Sequence, residues 1–325
     1  MCTRVLWNDN GLAITVGRNM DWFEDMHTDI WLFPRGISRN GGVNNPLKWV
    51  SKYGNISVSA YNMMCVDGVN EKGLTVNPLW LAETNFGQRD PKQPALAFSI
   101  AGQYLLDNYA TVHEVVEMVH QNGFPIVTGA MGSTQRQAAG HFAVADASGD
   151  SVIVEFIDGK AVVYHSPQYQ VLTNSPTFDQ QLENLKKYRF FGGDKDLPGS
   201  EQSPDRFVRA ARYLKSLPQP SNVRELVAYL MSVMRNVSTP FGVVDPERPN
   251  ISVTRWRTIA DLTHMRYFFE STQSPNVIWM DLDKLDFSQN AEVKALSLEE
   301  SPNLVGNVSD CFVSKKAYKF LEIAG

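Results

Sequence analysis

The residue in this 325-residue chain with the most chemical promise is Cys2, directly behind the initiator Met1. Initiator methionines are removed when the next residue is small, and Cys qualifies. Removal leaves a thiol and a free α-amine on one residue, with reference pKa values near 8.5 and 8. An amine titrating near neutrality is well matched to take the thiol proton, so one residue would supply both nucleophile and base. Two more groups follow within 20 residues. Arg18 is a permanent cation that would favour thiolate, and Asp21 is a carboxylate able to accept a hydrogen bond from the amine. Far along the chain, Asn174 ends the strand-like stretch Val171-Leu172-Thr173, where its amide can point into a cleft and donate to an oxyanion.

The elements that must bring these residues together are legible in outline. Residues 3–7 and 12–18 alternate around Asn8-Asp9-Asn10-Gly11, which predicts a hairpin with Cys2 opposite Gly17 or Arg18. A second strand pair is expected over 56–65 and 74–80, with residues 66–73 as the turn between them. Helices are expected over 95–108 and from Thr111, where Thr111 and Glu114 form a capping box and Val112, Val115, Val116 and Val119 share one face. Gly123 and Pro125 should end the second. Period-two stretches at 142–146, 151–157, 161–165 and 169–173 predict an antiparallel meander. Helices near 204–217 and 223–235 follow, then strands near 252–260, 265–270 and 277–282. Clustered antiparallel strands with helices between the clusters predict an α+β layered sandwich: two sheets with helices on their outer faces. The strict strand–helix alternation of a parallel dinucleotide-binding sheet is missing, and so are its glycine fingerprint and a P-loop.

Hydrophobic residues are 43% of the chain, enough for a full core, and the net charge of −5 argues against a nucleic-acid binder. No stretch of about 20 apolar residues marks a membrane span. The start MCTRVLWNDNG lacks the layout of a signal peptide, which predicts a cytoplasmic protein, or a periplasmic one if a signal peptide preceded this sequence. Three cysteines, Cys2, Cys65 and Cys311, do not suggest a disulfide framework, and six scattered histidines without C-x-x-C or H-E-x-x-H argue against a zinc site.

Five motifs occur in one order: Met1-Cys2-Thr3; Gly17-Arg18-Asn19-Met20-Asp21-Trp22; Asp67-Gly68-Val69-Asn70-Glu71-Lys72-Gly73-Leu74; Leu172-Thr173-Asn174-Ser175-Pro176; and Leu197-Pro198-Gly199 followed by Arg206-Phe207. In this the chain resembles the choloylglycine hydrolase family, which contains penicillin V acylases and conjugated bile salt hydrolases. The resemblance implies an N-terminal-nucleophile hydrolase fold, a four-layer αββα sandwich, with residues 2–325 as one domain. It implies a hydrolase of linear amides, working through a thioester on Cys2 without metal or organic cofactor. It assigns Arg18 and Asp21 to the surroundings of the thiol and amine. Asn174 becomes the oxyanion donor, with a backbone N–H near residue 80, and Arg206 rather than Arg209 the supporting arginine. Trp80 stands where bile salt hydrolases have Asn, and Trp22 follows Asp21; both resemble the Gram-negative branch of the family, where such rings suit a phenoxyacetyl or acyl-chain group. Penicillin V acylase is the first expectation on those grounds, with bile salt hydrolase and N-acyl homoserine lactone acylase as alternatives. The partner is a small amide substrate, with neither nucleic acid nor membrane. A homotetramer occurs in the family, but the stretch between Asn174 and Leu197 is shorter here than in many Gram-positive members, where it helps to assemble that tetramer. Outside this class, a Cys–His enzyme using Cys65 or Cys311 would need a local signature that is not present.

Overall fold

The computed structural model describes residues 2–122, 124–131, 136–242 and 252–323. Met1, whose removal the sequence predicts, and Gly123, expected to end a helix, lie outside the described residues. The molecule is an α+β sandwich of four layers, αββα. Strand β1 (Cys2–Trp7) is buried at every position, as a strand covered on both faces must be. It pairs with β2 (Thr15–Trp22) inside a seven-stranded sheet, ordered Val171–Leu172, β1, β2, Val253–Asp261, Arg266–Ser271, Val277–Asp281 and Gly306–Asn307. The second sheet has nine antiparallel strands: Lys160–His165, Ser151–Ile157, His141–Ala145, Thr75–Leu79, Met64–Asn70, Asn55–Ala60, Asp29–Phe33, Lys294–Ser297 and Val313–Ser314. The sheets bury their facing sides against each other. Helices α1 (Phe98–Asn108) and α2 (Val112–Asn122) cover the second sheet. Helices α3 (Phe178–Leu185), α4 (Ser203–Leu214) and α5 (Val223–Asn236) lie on the side of the first, with α4 and α5 packed on β1 and β2. Among the described residues no helix is long and apolar enough to cross a membrane.

The Thr111–Glu114 capping box forms: the Glu114 N–H donates to Thr111 Oγ1 at 3.2 Å and the Thr111 N–H to Glu114 Oε2 at 3.1 Å. The first hairpin forms in a different register. Cys2 faces Met20, Arg4 faces Arg18 and Trp7 faces Thr15. The slip arises because residues 8–14 are all loop, stapled by the buried Asn10. Its amide donates to the Trp7 and Ala13 carbonyls, and its Oδ1 accepts from the Leu12 and Ala13 N–H groups. The expected turn at 66–73 is also largely wrong, since Met64–Asn70 is a buried central strand. Asp67 and Gly68 look like turn residues, but Asp67 is buried among partners. At Gly68 an added Cβ would lie 2.6 Å from the Ile56 carbonyl oxygen and 2.6 Å from Leu106, so the glycine answers a close approach. The meander holds for its first three strands. The fourth, Val171–Leu172, leaves the second sheet and pairs with β1 at the edge of the first. That crossing delivers Asn174 to the start of β1.

Candidate active site

Side chains alternate across a strand, and β2 uses this to serve both sides of its sheet. Arg18 and Met20 point with Cys2 toward the second sheet, whereas Asn19 and Asp21 point to the helix side. On the inner side Arg18 is fully buried. Its Nη2 donates to Cys2 Sγ at 3.5 Å and to the Pro78 carbonyl at 2.6 Å, its Nη1 donates to the Val66 carbonyl at 2.5 Å, and it lies over the Trp256 ring at 5.2 Å. The wrong register did not remove this contact, because the observed pairing keeps residues 18 and 20 on the face of Cys2.

The backbone nitrogen of Cys2 donates to Asn174 Oδ1 at 2.5 Å. Arg206 reaches in from the first turn of α4, on the buried stripe that includes Phe207, Ala210 and Leu214. Its Nη1 donates to the Cys2 carbonyl and to Thr3 Oγ1, both at 2.5 Å, and its Nη2 to Asn174 Oδ1 at 2.8 Å. Asp21 Oδ2 stands 3.6 Å from Arg206 Nη1, while its Oδ1 accepts from the Thr254 hydroxyl at 2.6 Å. Burial pushes the Arg206 guanidinium below its ordinary value, and the Asp21 carboxylate is the chief influence in the other direction. Arg209 turns away to the Ser200 carbonyl, at 2.5 Å.

Asn174 is oriented by two donors at Oδ1, which leaves its nitrogen facing the Trp80 carbonyl at 2.7 Å. Its backbone N–H donates to Ser203 Oγ at 2.8 Å. The preceding Thr173 carbonyl accepts from His141 Nε2 at 2.8 Å, and His141 Nδ1 meets Glu155 at 2.9 Å in a buried pair.

The sulfur opens on a hollow of about 70 Å3, lined by Cys2, Arg18, Met20, Trp22, Tyr61, Met64, Trp80 and Phe98 among others. Trp22 and Trp80 form a tilted pair with ring centroids 6.2 Å apart. Trp22 Nε1 donates to Tyr61 Oη at 2.7 Å, and Tyr61 donates to Glu24 at 2.5 Å. A larger hollow, about 280 Å3, lies beyond Met26 against Trp256 and Phe269, but no thiol lines it. Cys2 and Arg18 line the smaller one.

Residues 2–296 match the family model for linear amide C–N hydrolases, choloylglycine hydrolase family. This chain belongs to that family. It is 42% identical to a penicillin V acylase of Pectobacterium atrosepticum, across 93% of this chain and 86% of the relative. A bile salt hydrolase/transferase of Bifidobacterium longum is 27% identical, across 75% and 83%. The solved penicillin V acylase of Agrobacterium tumefaciens superposes with a TM-score of 0.90 at 44% identity, covering 99% of this chain and 100% of that one. The conjugated bile acid hydrolase of Clostridium perfringens shares the fold, with a TM-score of 0.77 at 22% identity over 91% of this chain and 97% of that one. The protein is therefore an amidohydrolase of the choloylglycine hydrolase family.

All seven residues singled out in the sequence, Cys2, Arg18, Asp21, Trp22, Trp80, Asn174 and Arg206, converge on this one place in the family member. Sequence reasoning missed Tyr61, Thr254, Ser203 and the His141–Glu155 pair. None lies in a motif with chemistry of its own. The only local signal was His141, a histidine opening a strand. Cys65 is fully buried, and burial pushes its thiol up to about 12. Cys311 is exposed. Among the described residues His141, His165 and His264 bond carboxylates, not thiols.

Proposed function

We propose that Cys2, once Met1 is removed, is the nucleophile of an acylase of the penicillin V type. The observation that carries this reading is one residue whose sulfur meets Arg18 at 3.5 Å and whose nitrogen meets Asn174 at 2.5 Å. In the reaction the α-amine takes the thiol proton as sulfur bonds to the amide carbonyl carbon. The oxyanion is held by the second N–H of Asn174 Nδ2, the first being spent on Trp80, together with a backbone N–H near residue 80. The C–N bond then breaks and the ammonium returns its proton to the leaving nitrogen. Water, deprotonated by the same amine, attacks the thioester and releases the acid. Asp21 and Arg206 hold the amine and the Cys2 backbone in register for each step.

Trp22, Trp80 and Tyr61 support an aromatic acyl group of the phenoxyacetyl kind. The relatives at 42% and 44% identity, both named penicillin V acylases, support the same choice. An N-acyl homoserine lactone would place its alkyl chain between the same rings. A homo-oligomer belongs to this reading, and the mass in solution tests it.

Cys2→Ala should fold and lose turnover; substantial activity in that variant refutes the reading. Release of 6-aminopenicillanic acid, taurine or homoserine lactone, assayed side by side, should favour the first. A mass corresponding to retained Met1 in active enzyme would exclude the amine as base.

A further inference from the structure

The motif that begins at Asp67 has no part in the mechanism above, yet its first residue is buried against the site. Asp67 is 1% exposed and lies on the second sheet, facing β2. Four donors from four strands converge on its carboxylate. Tyr267 Oη donates to Oδ1 at 2.8 Å, Thr258 Oγ1 and Asn77 Nδ2 lie 3.3 Å from Oδ2, and Arg18 Nη1 stands 3.5 Å from Oδ2. A carboxylate in that setting is satisfied as an anion, since an ionised carboxylate is acceptor-only. Burial pushes the Asp67 carboxyl above its ordinary value, with Arg18, Tyr267 and Thr258 acting in the other direction without reversing it.

Arg18 therefore stands between two acidic groups, with one nitrogen toward Asp67 and the other toward Cys2 Sγ, each at 3.5 Å. We propose that Asp67, held by Tyr267 and Thr258, is a positioning residue that fixes Arg18 and offsets its charge, so that the resting Cys2 keeps its proton until the amine takes it. This rests on Cys2 being the nucleophile. Without Asp67 the full charge of Arg18 would act on the sulfur and create a standing thiolate. A thiolate whose proton has already gone to solvent leaves a neutral amine with none to pass to the leaving nitrogen, and a thiolate of lower pKa is a weaker nucleophile.

The charged and titratable groups around the pair are few. Around Cys2 are its own amine on β1, Arg18 of β2 beside the sulfur, Arg206 of α4 at the carbonyl, and Asp21 of β2 behind Arg206. Facing Asp67 are Arg18 on β2, Tyr267 on the Arg266–Ser271 strand and Cys65 on its own strand. Arg18 joins the two groups directly, so removing the charge at Asp67 should be felt at the sulfur through Arg18.

The test is the pH dependence of Cys2 alkylation by iodoacetamide, read by peptide mass mapping to separate it from the exposed Cys311. Asp67→Asn, which keeps the shape and removes the charge, should move the midpoint down by about one pH unit, the size expected from losing one neighbouring charge. Its kcat should fall more than its KM changes. Tyr267→Phe keeps the charge and should leave the midpoint within about 0.3 units. An unmoved or raised midpoint in Asp67→Asn overturns the proposal. So do equal shifts in both variants, and so does loss of fold in Asp67→Asn and Asp67→Ser alike, which would assign Asp67 to folding alone. If alkylating Cys2 leaves wild-type turnover intact, the nucleophile assignment fails instead.

Discussion

Exchanging Asn174 for Asp alters one atom of a buried side chain and tests the site from two directions. Oδ1 accepts from the Cys2 nitrogen at 2.5 Å and from Arg206 at 2.8 Å, and Nδ2 donates to the Trp80 carbonyl at 2.7 Å. In Asn174→Asp the nitrogen becomes an acceptor, so the oxyanion loses a donor. Loss of one such donor costs about 10²–10³ in kcat, or roughly 3–4 kcal/mol. The new charge also sits beside the α-amine. Two opposite unit charges at that separation attract by about 6–7 kcal/mol at an effective dielectric near 20. Arg206 takes much of the new charge, because it already donates to the same atom. The remainder should raise the amine pKa by roughly 1–2 units, which lowers the free-base fraction at neutral pH about tenfold or more. The two effects together predict a fall of about 10³–10⁴ at pH 7, with the residual activity still climbing above pH 8. The assay is release of 6-aminopenicillanic acid from penicillin V between pH 5 and 10, with circular dichroism to establish the fold. Activity within tenfold of wild type, or an unmoved alkaline limb, would refute this account of Asn174.

Four further outcomes follow from the same structure. Tyr61→Phe removes the acceptor for Trp22 Nε1 and should raise KM roughly 3- to 10-fold with little change in kcat, the worth of one hydrogen bond. Arg4 is fully buried, and burial pushes its guanidinium down to about 9, with Nε and Nη2 lacking partners. Its folded value lies below the unfolded one, so its cost to stability is complete at neutral pH and fades only as pH rises through about 9; Arg4→Met should raise stability to urea by about 1–3 kcal/mol, and a loss of more than 1 kcal/mol would contradict this. Asn222 caps α5 through Glu225 N–H at 3.0 Å, and Asn222→Ala should cost about 1 kcal/mol in urea unfolding without touching kcat. Iodoacetamide in native buffer should spare Cys65, whose labelling together with inactivation would revive a Cys–His enzyme.

The periodic signals survived into the structure where local physics decides. The Thr111–Glu114 box needs only residues three apart, and α4 and α5 carry an apolar stripe that any partner surface would select. Turn chemistry failed at Asp67-Gly68. A residue type that usually seeks water was there recruited to a buried ion pair, and nothing local signals that Arg18, 49 positions earlier, would supply the cation. The hairpin register failed because Asn10 lengthened the loop through bonds of its own side chain.

By itself the sequence determined which groups could react: a thiol on Cys2, a cation at Arg18, a carboxylate at Asp21, an amide at Asn174 and rings at Trp22 and Trp80. These are covalent facts, and the ordered motifs tied them to one family. Only the tertiary structure decided what touches what. Strand pairing puts Cys2 opposite Met20, and the crossing of Val171–Leu172 to the first sheet brings an amide 172 residues away to the Cys2 nitrogen. The reason is that alternation along a strand is a local property, whereas the choice of neighbouring strand is made by burial of whole sheet faces against each other.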